Sequence, residues 1–357
     1  MSLADIQHQP RAQRQIQRAV GRDRLPHAYI FHGPDGVGKE LFARAFAQLL
    51  LCSGPVEHSL GDRESSESGV ERLRLGCGTC DDCRAVAADF HSDLHLIYRQ
   101  LNREHPDPDV RKRKGLDLGV DVLRHFVVEK VGLTPQRGRA KVFIIREADA
   151  MNVQAQNALL KTLEEPPGTT FLVLLATALD ELLPTTQSRC QVVPFDALPT
   201  DFVRAKLSEL RRELSQDQID WYANNADGSI GRAIDSADDE LFALNDRLYT
   251  LLADSGPRRA PALTELITAQ AKSLGERYRK RDPDITDTEA ARRGLKTVFR
   301  LAAGWHAEAL RAAAGRTGDR SQAEVHAAAI DRVAEAERQL DLNAYTPLVV
   351  ETLSNDL

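Results

Sequence analysis

No apolar run in these 357 residues approaches the roughly 18 needed to span a bilayer. The opening Met-Ser-Leu-Ala-Asp-Ile also lacks a basic segment followed by an apolar one, so no secretory signal is expected. Together these absences predict a cytoplasmic protein with no membrane partner. Aromatic residues are scarce, at 5%, and abundant Ala, Leu, Arg and Glu point towards helix instead. Positive charge is in deficit: the net charge is −6. An isolated chain therefore has no general attraction for nucleic acid, and a DNA contact would need a local basic face or basic partners. Cysteine is sparse, five residues in all, and in an apparently cytosolic chain this is poor support for disulfides.

What is present is a globular composition, 42% apolar and 28% charged, on a chain long enough for two or three domains. The expected class is α/β with a large helical share. Residues 5–20 have an amphipathic helical pattern, Tyr29 to Phe31 form a short strand, and Leu41, Phe42, Ala45, Phe46, Leu49 and Leu50 recur at helical spacing. Between strand and helix lies a near match to the phosphate-binding loop G-x-x-x-x-G-K-[ST], with Gly33, Gly38 and Lys39 in place and a further glycine, Gly36, between them. Such glycines let backbone N–H groups wrap phosphates, the lysine adds a point charge, and the hydroxyl ligates Mg²⁺. The hydroxyl is missing, because Glu40 stands there and would set a negative charge beside a polyphosphate.

A second omission follows the strand Val142 to Ile145. In a phosphate-loop ATPase this strand ends in an acidic pair that organises Mg²⁺ and the attacking water. Arg146 takes the first place, leaving Glu147 alone. Asn152 can cap a helix with Ala155, Ala158, Leu159 and Leu163 on one face, stopped by Pro166-Pro167. A buried strand from Phe171 to Ala176 and an apolar stretch at Val192 to Phe195 complete a strand–helix alternation that implies a parallel sheet with helices on both faces.

Four of the cysteines matter for their spacing. Cys77, Cys80 and Cys83 stand three apart, and with Cys52 they can surround a tetrahedral Zn²⁺ in a closed, structural site with no position for water; the competing reading is a set of reduced, merely tolerated thiols. Residues 53–75 read as a mobile loop inserted between the first ligand and the others. The basic run Arg111 to Lys114 reads as a solvated turn, with a phosphate contact as the alternative.

Four segments in this order, His27 to Lys39, the cysteine set, Asn157-Ala-Leu-Leu-Lys-Thr-Leu-Glu-Glu-Pro-Pro167 and Ser188-Arg189-Cys190, resemble bacterial DNA polymerase III clamp-loader subunits of the AAA+ family over roughly residues 5–195. The resemblance implies an AAA+ parallel-sheet core at 1–197 with the zinc module at 52–83, a helical lid at 198–238 and an all-α collar domain at 239–357. It further implies partners: tau/gamma motor and delta subunits directly, and the sliding clamp and primed DNA through the complex. Of the family's competing types, the ATP-hydrolysing tau/gamma motor would carry arginine at the fourth position of the lid motif Gly-Ser-x-Arg, where this chain has Gly231. With Glu40 and Arg146, that makes three departures, and they resemble the delta-prime stator, which has no intrinsic ATPase and works within the polymerase holoenzyme. ATP is then not expected to bind productively at Gly33 to Lys39. By the same resemblance, Arg189, with Ser188, is an arginine finger completing a neighbour's ATP site; the alternative is an arginine that caps a strand end or pairs with a carboxylate. An ATP-hydrolysing motor and a zinc-stabilised AAA+-like regulatory protein are the alternatives for the whole chain.

Overall fold

The computed structural model describes residues 2–21, 25–59, 72–137, 139–254, 256–315 and 320–357. Among the described residues there are seven strands: β1 (Ala28–His32), β2 (Val56–Ser59), β3 (Arg72–Leu75), β4 (Leu94–Ile97), β5 (Lys141–Ile145), β6 (Thr170–Ala176) and β7 (Gln191–Pro194). Five of them form one parallel sheet in the order β4-β5-β6-β1-β7, with Ile30 of β1 opposite Leu174 of β6 and Val192 of β7. Strands β5 and β6 are buried along their whole length, which is why they read as unbroken apolar runs.

The sheet has a core on each face. On one, Ile30, Phe143, Ile145, Leu172 and Leu174 meet Ala155, Leu159 and Leu163 from the helix Val153–Glu164. That helix starts where expected: the Asn152 side chain accepts from the backbone N–H of Ala155 at 2.9 Å. On the other face the few aromatics are concentrated. Tyr29 packs edge-on to Phe46 at 5.3 Å, and Phe42 sits 5.6 Å from Phe31 and 5.3 Å from Phe195. These rings clamp the helix Lys39–Leu51 onto β1, and so fix the loop between them.

The parallel α/β architecture expected from the sequence is present, with differences in detail. The N-terminal helix runs Pro10–Gly21 rather than from residue 5, after a short turn at Leu3–Asp5. Pro10 opens it, and Gln9 is held in place by paired hydrogen bonds with the backbone of Asp196 at 2.9 and 3.0 Å. The segment 53–75 is not simply a loop, because its ends pair as the antiparallel ladder β2–β3, with Val56 opposite Leu75. The expected loop at 60–71 lies outside the described residues.

By its internal packing the chain divides into two compact units, Met1–Ile234 and Asp235–Leu357. The first carries three further helices after the sheet, Thr200–Leu210, Gln216–Asn224 and the start of Ile230–Asp238. The second is helical, with long helices Arg259–Arg281 and Asp287–Gly315 crossing closely. Glycine makes that crossing possible: a Cβ on Gly294 would lie 2.2 Å from the Ala271 carbonyl oxygen. Among the described residues no helix is long and apolar enough to cross a membrane.

Candidate functional site

β1 delivers the chain into the loop at Gly33, where a Cβ would strike the Phe195 carbonyl oxygen at 2.2 Å. Gly36 and Gly38 have φ of +70° and +97°, in the left-handed region that glycine enters without penalty, and Gly38 caps the helix that begins at Lys39. The four loop residues expected from the motif are thus brought together. Lys39, however, is buried and turned onto its own loop. Its ammonium donates to the carbonyl oxygens of Gly33 and Pro34, both at 2.6 Å. Burial holds its pKa below the usual lysine value, against the pull of the Asp35 and Asp149 carboxylates.

The two misfit residues of the motif meet each other. Glu40 Oε1 accepts from Arg146 and, at 2.8 Å, from Arg44 Nε. The guanidinium of Arg146 also lies over the Tyr98 ring, 5.7 Å from its centroid, and Arg44 pairs onward with Asp89. Burial pushes the Glu40 carboxyl up, but the hydrogen bonds from Arg146 and Arg44 outweigh it and leave the group below the ordinary glutamate range. Read separately in the sequence, Glu40 and Arg146 are two defects; in space they are one ion pair. The available signal was that their charges are opposite. The remaining acids of the strand end are also engaged. Glu147, in the left-handed region at φ +49°, accepts from Arg99 Nε at 3.0 Å, and Asp149 accepts from the backbone N–H groups of Thr177 and Ala178 at 2.8 and 2.9 Å.

A third contact closes over the loop. The Gly231 N–H donates to the Gly36 carbonyl at 3.3 Å, and a Cβ on Gly36 would lie 2.4 Å from Ser229 Oγ and 2.7 Å from Gly231 Cα. A Cβ on Gly231 would in turn lie 2.9 Å from Gly36 Cα, so glycine at both positions lets this helix start sit directly against the loop. Arg232, one place late for the motif, is 3.1 Å from Asp227.

The cysteines converge as their spacing predicts. Cys52, Cys77, Cys80 and Cys83 place their sulfurs within 4.8 Å of one another, and this cluster could hold a metal ion. The Cys52–Cys80 and Cys77–Cys83 sulfur separations are both 3.9 Å. A tetrahedron with ~2.3 Å metal–sulfur bonds has edges of about 3.8 Å, so the set fits zinc. Backbone N–H groups of Cys77, Cys80 and Cys83 point at neighbouring sulfurs at 3.2 to 3.4 Å, and Cys80 caps the helix Asp81–Ala87. Outside the cluster, Arg139 braces the carbonyls of Cys52 and Ser53 at 2.8 and 2.7 Å, and Gln48 holds that of Cys83 at 3.2 Å.

Arg189 and Ser188 lie on an open pocket of about 580 Å³ that also involves His27, Glu164 and Glu165. The Arg189 Nε donates to Glu164 at 2.6 Å, and another guanidinium nitrogen donates to the Thr185 carbonyl at 2.8 Å. Within this chain, then, the arginine pairs with a carboxylate, the alternative kept open from the sequence. Sequence reasoning did not find Glu164 as its partner, although both fall inside the quoted motifs. Cys190 is half-buried against the core, and burial pushes its thiol up to about 12. In the basic run, Arg111 donates to the carbonyls of His105 and Pro106, and Arg113 pairs with Asp121 at 2.8 Å. Those contacts favour the solvated turn.

Residues 8–199 match the family model described as DNA polymerase III, delta subunit. A DNA polymerase III subunit delta' from Pseudomonas aeruginosa is 36% identical over 197 residues, 55% of this chain and 50% of the relative. A delta' subunit from Bacillus subtilis is 30% identical over 66% of this chain and 61% of its own length. A tau subunit from Escherichia coli is 28% identical over 83% of this chain and 41% of the relative. The chain thus spans about half to three-fifths of the length of the delta' relatives it matches. With more than half of its 357 residues inside the family model, the chain belongs to the DNA polymerase III delta-subunit family, as its resemblance to clamp-loader subunits implied.

Proposed function

We propose that this chain is a non-hydrolysing, delta-prime-type stator of a cytoplasmic DNA polymerase III clamp loader. It joins tau/gamma motor and delta subunits, and through the complex it acts on the sliding clamp and primed DNA. The Glu40–Arg146 ion pair carries this reading. Phosphoryl transfer from ATP depends on a metal ion bridging the β- and γ-phosphates, held by a loop hydroxyl and an acid at the strand end. Here a carboxylate and a guanidinium stand at those two places: the guanidinium repels a cation, and by pairing with the carboxylate it neutralises the one group that could have held it. Lys39 is committed to loop carbonyls in the same site.

The chain's part is then to bind and position. Arg189 acts in trans, exchanging Glu164 for a neighbour's γ-phosphate, since both are anions that a planar guanidinium grips in the same way. The four cysteines hold a structural Zn²⁺ that ties the start of the helix Asp81–Ala87 to the end of the helix Lys39–Leu51. The likeness to a tau subunit over 83% of the chain supports the competing reading of an ATP-hydrolysing motor.

Calorimetry on the full-length chain separates the two. The stator shows no ATP binding with or without Mg²⁺, whereas Mg²⁺-dependent micromolar binding identifies a motor. For the finger, Arg189→Ala should leave the loader assembled while the ATP site it serves slows by ~10³-fold or more, seen as a fall in DNA-stimulated ATPase. Unchanged turnover in the reconstituted complex removes the role.

A further inference from the structure

Outside the nucleotide-type site, the N-terminal helix Pro10–Gly21 and the sheet's edge strand β7 bound an open groove of about 780 Å³. Arg11, Arg14 and Arg18 line it from one side, with Gln15 between them and Pro194 opposite. The helix is oriented by its other face, where Ala12, Ile16 and Val20 are buried, and the Gln15 amide donates to the Val192 carbonyl at 2.7 Å. Both anchors leave the arginine row turned outward, with Arg11 and Arg18 exposed. Arg11 reaches Asp196 only at 3.5 Å, with both side chains largely in solvent. Among the described residues Arg14 and Arg18 have no hydrogen-bond or ion-pair partner. On a chain of net charge −6, three adjacent guanidinium groups with one weak counter-charge among the described residues form a local field of opposite sign.

We infer that this groove binds the phosphate backbone of duplex DNA. At ~1.5 Å rise per residue, the seven positions from Arg11 to Arg18 span about 10 Å. One strand of a duplex presents a phosphate every ~3.4 Å of axis, so three arginines face about three successive phosphates. Among the described residues, the groove's lining holds no aromatic side chain. A site for unpaired strands uses aromatic platforms on which bases stack, and this one offers only guanidinium donors and small apolar contacts. Recognition is therefore of backbone, independent of sequence. The inference stands on the charge row itself and does not require the chain to be a stator.

The test is fluorescence anisotropy of the full-length chain with a labelled duplex of ~20 base pairs over a series of salt concentrations. Arg14→Ala/Arg18→Ala should weaken duplex binding by about 10-fold or more at low salt and reduce the slope of log K against log salt by about 2. Arg14→Lys/Arg18→Lys should keep the slope, separating charge from helix packing. An unchanged slope in the alanine variant overturns the inference, as does the absence of measurable duplex binding by the unmodified chain. Tighter capture of a single strand of equal length, or of polyglutamate, also overturns it, assigning the groove to another polyanion. Because ATP plays no part, either result leaves the calorimetric test of the stator reading independent.

Discussion

At the Glu40–Arg146 pair, the energetics follow from exposure and from a third partner. The side chains are 32% and 35% exposed, so solvent screens the attraction, and Arg44 stays beside Glu40 when Arg146 is removed. A double-mutant cycle with Glu40→Gln and Arg146→Gln should therefore give a coupling of about 0.5–1.5 kcal/mol in urea unfolding, well short of a fully buried pair. The pH dependence has a defined sign. Because the folded-state pKa of Glu40 is lowered, its contribution is complete above the unfolded value of ~4.3 and is lost as pH falls through the lower folded value. The stability gap between the wild-type chain and Glu40→Gln should accordingly be widest near neutral pH and close as the solution is acidified below ~4. A gap that persists in acid, or a cycle with no coupling, would mean that the pair fills space without electrostatic consequence.

Among the elements, legibility tracked locality. The loop glycines, Lys39 and the cysteine triplet are fixed by spacings of a few residues, and each landed where its spacing implied. The central strands β1, β5 and β6 were readable because burial on both faces demands unbroken apolar runs. β4 escaped notice: it is a four-residue edge strand, half-buried over most of its length and interrupted by His95. The β2–β3 ladder was unreadable for a related reason, since Val56–Ser59 is exposed throughout and its apolar–polar pattern is weak. The turn Arg124–Val128, whose backbone bonds widen to the π pattern within a helical stretch, has no proline or glycine to announce it. Partners that complete the site come from far away in sequence. Arg146 is 106 positions from Glu40, and Arg99 is 48 from Glu147. Periodicity carries no information at such separations, whereas the fold sets the ends of β4 and β5 side by side for the Arg99–Glu147 contact and, because the sheet is parallel, opens the ends of β1 and β5 on the same edge for Arg146 and Glu40.

For the whole molecule, the division at residues 234 and 235 places all five cysteines in the first unit. The two units have separate cores: the sheet and its helices on one side of the division, and the close-packed helices Arg259–Arg281 and Asp287–Gly315 on the other. A metal bound by Cys52, Cys77, Cys80 and Cys83 stabilises only the state in which the four sulfurs converge, so its binding energy belongs to the folding of the first unit. Differential scanning calorimetry of the full chain should then resolve two transitions. Stripping zinc with a chelator should lower one of them by at least about 4 °C, the shift expected when a unit of this size loses ~2 kcal/mol, and leave the other in place. Cys77→Ser should reproduce the shift without chelator and gain nothing further from it. A chain of residues 1–234 should melt with the chelator-sensitive transition. If instead a single transition moves as a whole, the metal site and the C-terminal helices fold as one cooperative body, and the division seen in the packing has no counterpart in stability.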